Sequence, residues 1–231
     1  MSQILSTHPA EVRRALSNHA YEAGPDGLLL PRQKVRLSGR FTHQARRHPL
    51  LARAMGSGDP ERVDWARRLL GALKRSGRLD RATLQPIGEP VVDHNLTVNE
   101  GINSLLDVGF HGSPQITNWY VGVFKGNYTP VATVTAATIA TAATEATEYD
   151  EPARVAWNEG AAASQSISNA ANRATFTVNA TVTLYGAFLI SSNQKNGTGG
   201  VLWSAARFTS ARPLVDDDEL LITFQIAGQD V

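Results

Sequence analysis

The densest group of side chains that could do chemistry is the acidic run Asp216, Asp217, Asp218 and Glu219. Carboxylate oxygens are the ligands that calcium and magnesium prefer, so the run could hold a divalent cation. It lacks, however, the alternating Asp/Asn register with a central glycine that marks a calcium-binding loop. We therefore interpret it as a solvated turn before the last strand, whose charges discourage pairing between sheet edges.

A second, looser acidic group contains Glu145, Glu148, Asp150 and Glu151, and we interpret it in the same way. Two carboxylates at a suitable separation can also hydrolyse a glycosidic bond, and only the fold sets that separation. A carbohydrate-processing enzyme is therefore the alternative from another functional class. The low aromatic content, 7% of the chain, does not favour a cleft that stacks sugar rings.

Other residue types give no pattern of a reactive site. The chain has no cysteine, which excludes disulfides, thiolate metal sites and cysteine nucleophiles. His43 and His48 are five residues apart and no carboxylate accompanies them in a metal-binding pattern, so we predict solvated or capping roles. No phosphate-binding loop, dinucleotide-binding glycine pattern or nucleophile elbow occurs. We therefore predict no catalytic residue, no metal and no cofactor.

The charge is divided unevenly along the chain. Residues 1–90 carry a net charge of +8 and residues 91–231 a net charge of −7, although the whole chain carries only +1. An arginine-rich segment can neutralise nucleic-acid phosphates or dock onto carboxylates of a neighbouring subunit. Acidic residues interspersed among the arginines, and the lack of an accompanying aromatic series, favour protein docking over nucleic acid.

The basic part is predicted to be mainly helical. Val12, Leu16 and Ala20 share one face of a helix predicted over residues 6–20. Asp59 and Pro60 are typical of a helix start. The helix that follows carries an apolar stripe of Val63, Ala66, Leu70 and Leu73, widened by Trp65 and Leu69, and Gly77 follows its end. We therefore predict a helical docking region over residues 1–90, with a short strand or extended arm near Val35 and Leu37.

Beyond residue 90 the pattern changes to strands. Residues 97–100 match a capping box before a short helix whose apolar face contains Ile102, Leu105 and Leu106. Apolar and polar residues then alternate over residues 174–189 and 219–227, and shorter strand candidates lie between turns. Many short alternating strands without intervening helices indicate an antiparallel sandwich. The predicted fold is α+β, with an antiparallel β-sandwich over residues 91–231.

Neither a secretory signal nor a membrane-spanning segment is predicted. The first residues lack a basic stretch followed by an apolar core. No run approaches the roughly 18 apolar residues that a membrane helix needs. We expect no association with a membrane.

Four ordered pieces of the sequence resemble a group of small virion proteins of tailed bacteriophages. They are the stretches Asn95 to Asp107 (NLTVNEGINSLLD), Trp119 to Gly122 (WYVG), Tyr149 to Trp157 (YDEPARVAW) and Gly186 to Leu189 (GAFL). The resemblance covers residues 94–227. It implies a jelly-roll-like β domain on the virion, which acts as a head decoration (cement) protein or as a head–tail or tail-fibre component.

From the residues and the resemblance together we expect a structural protein of the virion, assembled in the host cytoplasm and without enzymatic activity. Its expected partner is the major capsid protein, bound by a homo-oligomer of this chain. The alternative is a connector or tail-fibre component docked by its N-terminal helices onto connector or tail subunits. The candidate protein-docking residues are Arg36, Arg40, Phe41, Leu51, Trp65 and Arg68.

Overall fold

The computed structural model describes residues 21–23, 29–31 and 35–230. These residues form helices and antiparallel sheets, so the predicted α+β class is confirmed. The helix predicted over residues 6–20 lies outside the described residues. The helices are α1 (Pro49–Gly56), α2 (Pro60–Arg75), α3 (Asn99–Phe110) and α4 (Ala136–Ala142). The strands are β1 (Tyr21–Ala23), β2 (Leu29–Pro31), β3 (Val35–Arg47), β4 (Gln85–His94), β5 (Leu96–Thr97), β6 (Tyr120–Phe124), β7 (Val155–Ala156), β8 (Ser166–Ser168), β9 (Ala174–Thr177), β10 (Val182–Ile190), β11 (Leu202–Leu214) and β12 (Glu219–Asp230).

Two antiparallel five-stranded sheets carry the fold, and β1 and β2 pair separately. In the first sheet β12 pairs with β3 from Glu219 opposite Arg46 to Asp230 opposite Val35. Strand β4 lies beyond β3, while β8 and β9 share the other side of β12. The second sheet has the order β5-β11-β10-β6-β7. The last strand is therefore a central strand, paired on both sides.

One apolar core contains side chains from both sheets. The predicted inward face of β12 is confirmed, since Leu220, Ile222 and Phe224 are buried and Ile226 packs against them. The rings of Phe224 and Phe41 lie 4.4 Å apart between centroids. The second sheet adds the buried residues Val121, Val123, Ala187, Leu189, Trp203 and Ala206.

The alternating stretch at residues 174–189 divides into two strands. Strand β9 belongs to the first sheet and β10 to the second. Phe176, Val178, Val182 and Leu184 nevertheless all enter the same core. The predicted inward face therefore continues while the chain crosses between the sheets.

The predicted boundary near residue 90 falls inside β4, and the described residues of the basic part form the strands β3 and β4 as well as helices. Strands β3 and β4 belong to the same sheet as β12, and α1 and α2 form a helical hairpin between them in the chain. The prediction of a short strand or extended arm near Val35 and Leu37 fell short of the full length of β3, because basic residues alternate there with Leu37, Phe41 and Ala45. Those charges lie on its outer face and give the segment the composition of a surface region.

Candidate docking surface

The hairpin of α1 and α2 is built on strong local signals. The Asp59 carboxylate accepts the Glu61 N–H at 3.0 Å, Pro60 occupies the first turn, and Lys74 and Arg75 lie in the last turn. These features confirm the predicted helix. Ala66 and Leu70 face inward, where they pack with Leu51, Ala54 and Val215 in a small separate core.

The exposed face of the hairpin forms the patch that we call the docking patch, made of Arg53 of α1 and of Arg62, Trp65, Arg68 and Leu69 of α2. Trp65 keeps 55% of its surface exposed, and Leu69 is one turn further along the helix. Arg53, Arg62 and Trp65 line a shallow depression of about 290 Å³. Tryptophan and arginine are the residue types most often found at the energetic centre of protein interfaces. The patch therefore has the composition of a protein-binding site.

The arginines of the docking patch remain accessible to a partner. Arg62 pairs with Asp59 at 3.2 Å and Arg68 with Asp64 at 2.5 Å, both at exposed positions. Such surface ion pairs contribute little free energy, so a partner's carboxylates can replace them.

The six predicted docking residues do not form one surface. Trp65 and Arg68 lie together on α2. Phe41 and Leu51 are only 0% and 1% exposed, so their prediction as docking residues is wrong for this fold. They are apolar residues of a strand and a helix whose inner faces fill the cores. Arg36 and Arg40 are exposed on the half of β3 remote from the helices.

Sequence reasoning missed Arg53, Arg62 and Leu69. It used Leu69 only to widen the apolar stripe of α2, whose members Ala66 and Leu70 are indeed buried. The available signal was the spacing of Arg62, Trp65, Arg68 and Leu69, which puts two arginines beside two apolar side chains on one helical face.

The acidic run lies at the turn that leads into β12, as expected, but only its first residue, Asp216, is exposed. Asp217, Asp218 and Glu219 are buried, and Asp217 has a positive φ of 68°. Because β12 is paired on both sides, the charges do not protect a sheet edge. Partial desolvation first, and then the neighbouring Asp217 carboxylate, raises the pKa of the exposed Asp216.

The charged halves of the chain meet inside one molecule. Arg47 donates two hydrogen bonds to Asp218, at 2.8 and 2.5 Å. Arg81 donates to Glu219 at 3.0 Å. Lys74 lies 2.8 Å from an Asp217 oxygen and 3.0 Å from an Asp150 oxygen. Burial alone would lower the pKa of Lys74, but these two carboxylates raise it above its usual value.

The other acidic group also consists of partnered carboxylates. Glu145 and Arg154 form a fully buried pair joined by two hydrogen bonds of 2.8 Å. Glu148 pairs with Lys125, and Glu151 accepts the Thr177 N–H at 3.1 Å. Within residues 35–230, Glu145 and Glu148 therefore form ion pairs, and Glu151 binds a backbone N–H group.

His43 is buried, which contradicts its predicted solvated or capping role. Arg212 Nε donates to His43 Nδ1 at 2.8 Å, so the ring proton is on Nε2 and donates to Asp93 Oδ2 at 2.9 Å. Arg212 comes from the second sheet and His43 from the first, so this network links the sheets. His48 does cap α1, since its Nδ1 accepts the Leu50 N–H.

Burial of His43 predicts a loss of stability in mild acid. Burial is the main cause that lowers the pKa of His43 to about 4. The hydrogen bond to Asp93 opposes this decrease, and the Arg212 charge adds to it. In the unfolded chain the pKa of His43 is 6.5. As the pH falls from about 6.5 to 4, the unfolded chain therefore binds a proton on His43 that the folded chain does not bind. We expect a loss of about 3 kcal/mol of unfolding free energy across this range.

Chemical denaturation of wild type and His43→Gln between pH 7 and pH 4 measures this contribution. The variant should be less stable at pH 7 and should lose less stability on acidification. Equal pH dependence in the two proteins would contradict the assignment.

Helix α3 begins differently from the prediction, and the described residues leave its apolar face exposed. Val98 is the N-cap and makes no side-chain cap bond, so the predicted capping box does not form. Glu100 instead accepts the N–H groups of Ala136 and Leu202, each at 2.8 Å. The predicted apolar residues Ile102, Leu105 and Leu106 are exposed, and Phe110 is 88% exposed.

No protein-family model matches the sequence, and no curated protein matches it. In the part of the chain that the structure describes, no helix is long and apolar enough to cross a membrane. Among those same residues, no three His, Asp or Glu side chains come together as a metal site.

Proposed function

We propose that the chain is a structural protein of a tailed-phage virion, specifically a head decoration protein that binds the major capsid protein as a homo-oligomer. The docking patch is the observation that carries this proposal, since it places an exposed tryptophan among arginines on a rigid helical hairpin. The resemblance to phage virion proteins supplies the identity of the particle. A jelly-roll-like arrangement of the two sheets is part of the same proposal.

The contacts of the acidic residues favour assembly over the carbohydrate-processing alternative. A glycosidase needs two carboxylates free to act as acid and as base or nucleophile. Glu145, Asp218 and Glu219 are buried and bonded to arginines instead. These three carboxylates belong to the groups that the sequence suggested for hydrolysis, and in this structure they serve as partners of arginines.

We expect Trp65→Ala to weaken binding to the particle by about 30-fold or more, since an interfacial tryptophan contributes about 2 kcal/mol or more. Particles prepared without this protein are mixed with purified wild type or variant, and the bound fraction is measured by co-sedimentation. Arg68→Glu should also weaken binding, because it reverses a charge within the docking patch.

Arg36→Glu is the matched control. It makes the same charge change on the half of β3 remote from the helices, and we expect binding close to that of wild type. Equal effects of Arg68→Glu and Arg36→Glu would indicate general electrostatic attraction and contradict docking by the patch. Binding of the wild type to DNA but not to the particle would contradict the proposed function itself.

The alternative is a connector or tail component docked by the same hairpin. The docking patch favours both locations equally, since it specifies a protein partner and not its place on the virion. The number of copies in each particle separates the two.

A further inference from the structure

Two neighbouring cavities lie along helix α3. The larger has a volume of about 630 Å³ and the smaller a volume of about 260 Å³. Ser104, Val108 and Ile116 line both, so we treat the two cavities as one groove and call it the α3 groove. Its lining on the helix extends from Asn99 to Val108, which is about 14 Å along the helix axis. The α3 groove is therefore long enough for a ligand of more than one six-membered ring.

The smaller cavity of the α3 groove is rich in tryptophan. The low aromatic content of the sequence did not favour a cleft that stacks sugar rings, but three of the four tryptophans, Trp119, Trp157 and Trp203, line this one cavity. The rings of Trp119 and Trp203 lie 6.2 Å apart between centroids, at an angle of 74°. The C–H groups of a sugar ring are apolar and carry a slight positive charge, so they pack well on the negative faces of aromatic rings.

The indole N–H of Trp203 needs a hydrogen-bond acceptor. Trp157 donates its indole N–H to the Phe224 carbonyl at 3.2 Å, but the N–H of Trp203 has no acceptor in the part of the chain that is described. Trp203 is only 7% exposed. A buried donor without an acceptor costs free energy, so the smaller cavity favours a ligand that brings an oxygen.

The larger cavity of the α3 groove is polar. Asn99, Asn103 and Asp107 recur every four residues and therefore lie on one face of α3. Residues outside the helix add hydroxyl groups to the lining: Ser113, Thr133 and Thr135. Amide and hydroxyl side chains both donate and accept hydrogen bonds, and a carboxylate accepts them. Sugar hydroxyl groups also donate and accept, so this lining can bind several of them at once.

The charge of the α3 groove selects among ligand classes. Glu100, Asp107 and Glu159 contribute carboxylates, and none of the described residues that line the two cavities is lysine or arginine. A phosphate or a sulfated sugar would meet like charges there without a counter-charge. An apolar peptide would leave the polar side chains of the larger cavity without partners. A neutral sugar chain satisfies both cavities.

The α3 groove is held in place by close contacts of the helix. A Cβ on Gly101 would lie 2.5 Å from the Trp203 carbonyl oxygen, so α3 packs directly on β11. Glu100 accepts the N–H groups of Ala136 and Leu202 and so joins the helix to α4 and to β11. A preformed site loses little conformational freedom when a ligand binds, which favours affinity.

We infer that the α3 groove binds a neutral oligosaccharide. One sugar ring packs in the smaller cavity against the tryptophans, where a sugar oxygen accepts the Trp203 N–H. The hydroxyl groups of the next sugar unit bind Asn103 and Asp107 in the larger cavity. The α3 groove shares no residue with the docking patch, so this binding is independent of the proposed function.

An array of immobilised glycans, probed with the purified full chain, tests the class of ligand. We expect binding to neutral chains of hexose or N-acetylhexosamine and weaker binding to their sialylated or sulfated forms, because the groove carries carboxylates. The neutral glycan that binds best is then titrated in solution, beside a proline-rich decapeptide as the other class. Binding to no neutral glycan, preference for the anionic forms, or binding of the peptide alone would overturn the inference.

Two variants test whether the sugar lies in the α3 groove. Asp107→Ala removes an exposed acceptor, and we expect the affinity for the neutral glycan to fall about tenfold. Ser104→Phe fills the place where the two cavities meet and should lower the affinity below detection. Asp64→Ala removes an exposed carboxylate from α2 and is the matched control, with the affinity of wild type expected. Equal affinities of Asp107→Ala and Asp64→Ala would overturn the inference.

The indole N–H signals in a proton–nitrogen correlation spectrum report on the bond to Trp203. Saturation with the neutral glycan should move the Trp203 signal to lower field, because its N–H gains an acceptor. The Trp65 signal should stay in place, since Trp65 lies on the docking patch. Sugar binding that leaves the Trp203 signal unchanged would place the ligand elsewhere and overturn the inference.

Discussion

Arg154→Ala should lower the free energy of unfolding by about 3–5 kcal/mol, because it leaves a buried carboxylate without its counter-charge. Both side chains of the Arg154–Glu145 pair are inaccessible to solvent. The guanidinium also donates to the carbonyl oxygens of Ser192 and Gly197, and so anchors the loop before β11. Denaturant unfolding at neutral pH measures the change.

Lys125→Ala is the control, because the Lys125–Glu148 pair is partly exposed and its loss should cost less than about 1 kcal/mol. The double variant Glu145→Ala, Arg154→Ala should be less damaging than the sum of the single variants, since no unpaired charge remains. Additive losses, or an Arg154→Ala effect as small as that of Lys125→Ala, would contradict the structural role of Glu145.

Asp218→Ala is the second substitution with a large expected effect, again about 3–5 kcal/mol of unfolding free energy. Asp218 is 0% exposed and accepts two hydrogen bonds from Arg47 and one from the Val215 N–H. Its loss removes the bond between the end of β3 and the turn before β12. Denaturant unfolding of the variant at neutral pH gives the value.

Asp64→Ala breaks the exposed pair with Arg68 and serves as the comparison. It should cost under about 1 kcal/mol. If the two substitutions had equal effects, the charges of the acidic run would be surface charges, as the sequence suggested, and the internal pairing would be wrong.

These internal pairs change the meaning of the charge asymmetry. A basic first part and an acidic second part suggested that arginines reach carboxylates of a neighbouring subunit. Arg47, Lys74 and Arg81 instead contact Asp218, Asp217 and Glu219 of the same chain. Arg62 and Arg68 on α2 take no part in these internal pairs and remain exposed, so the docking that we propose uses this helical face.

Elements with local signals could be predicted from the sequence. Helix α2 has its Asp59 cap, its proline and its basic last turn within the helix and the residue before it. The inward face of β12 follows from strict alternation, which a buried strand needs whatever its partner. In both cases the information lies within the element itself and the residue before it.

Features that depend on distant parts of the chain could not be predicted. Phe41 pairs with Phe224, and no local pattern in a basic segment reveals a partner so far along the chain. The buried position of His43 could not be foreseen, since its hydrogen-bond partners Arg212 and Asp93 come from two other strands. The capping box at residues 97–100 failed for the same reason, since Glu100 binds amides near residues 136 and 202.

Counting the copies of this protein in purified phage particles tests the proposed function most directly. Quantitative mass spectrometry against the major capsid protein as internal standard gives the ratio of the two chains. A decoration protein that covers the head predicts hundreds of copies per particle, whereas a symmetric connector or fibre gives about a dozen or fewer. Particles that contain none would contradict assembly into the virion altogether.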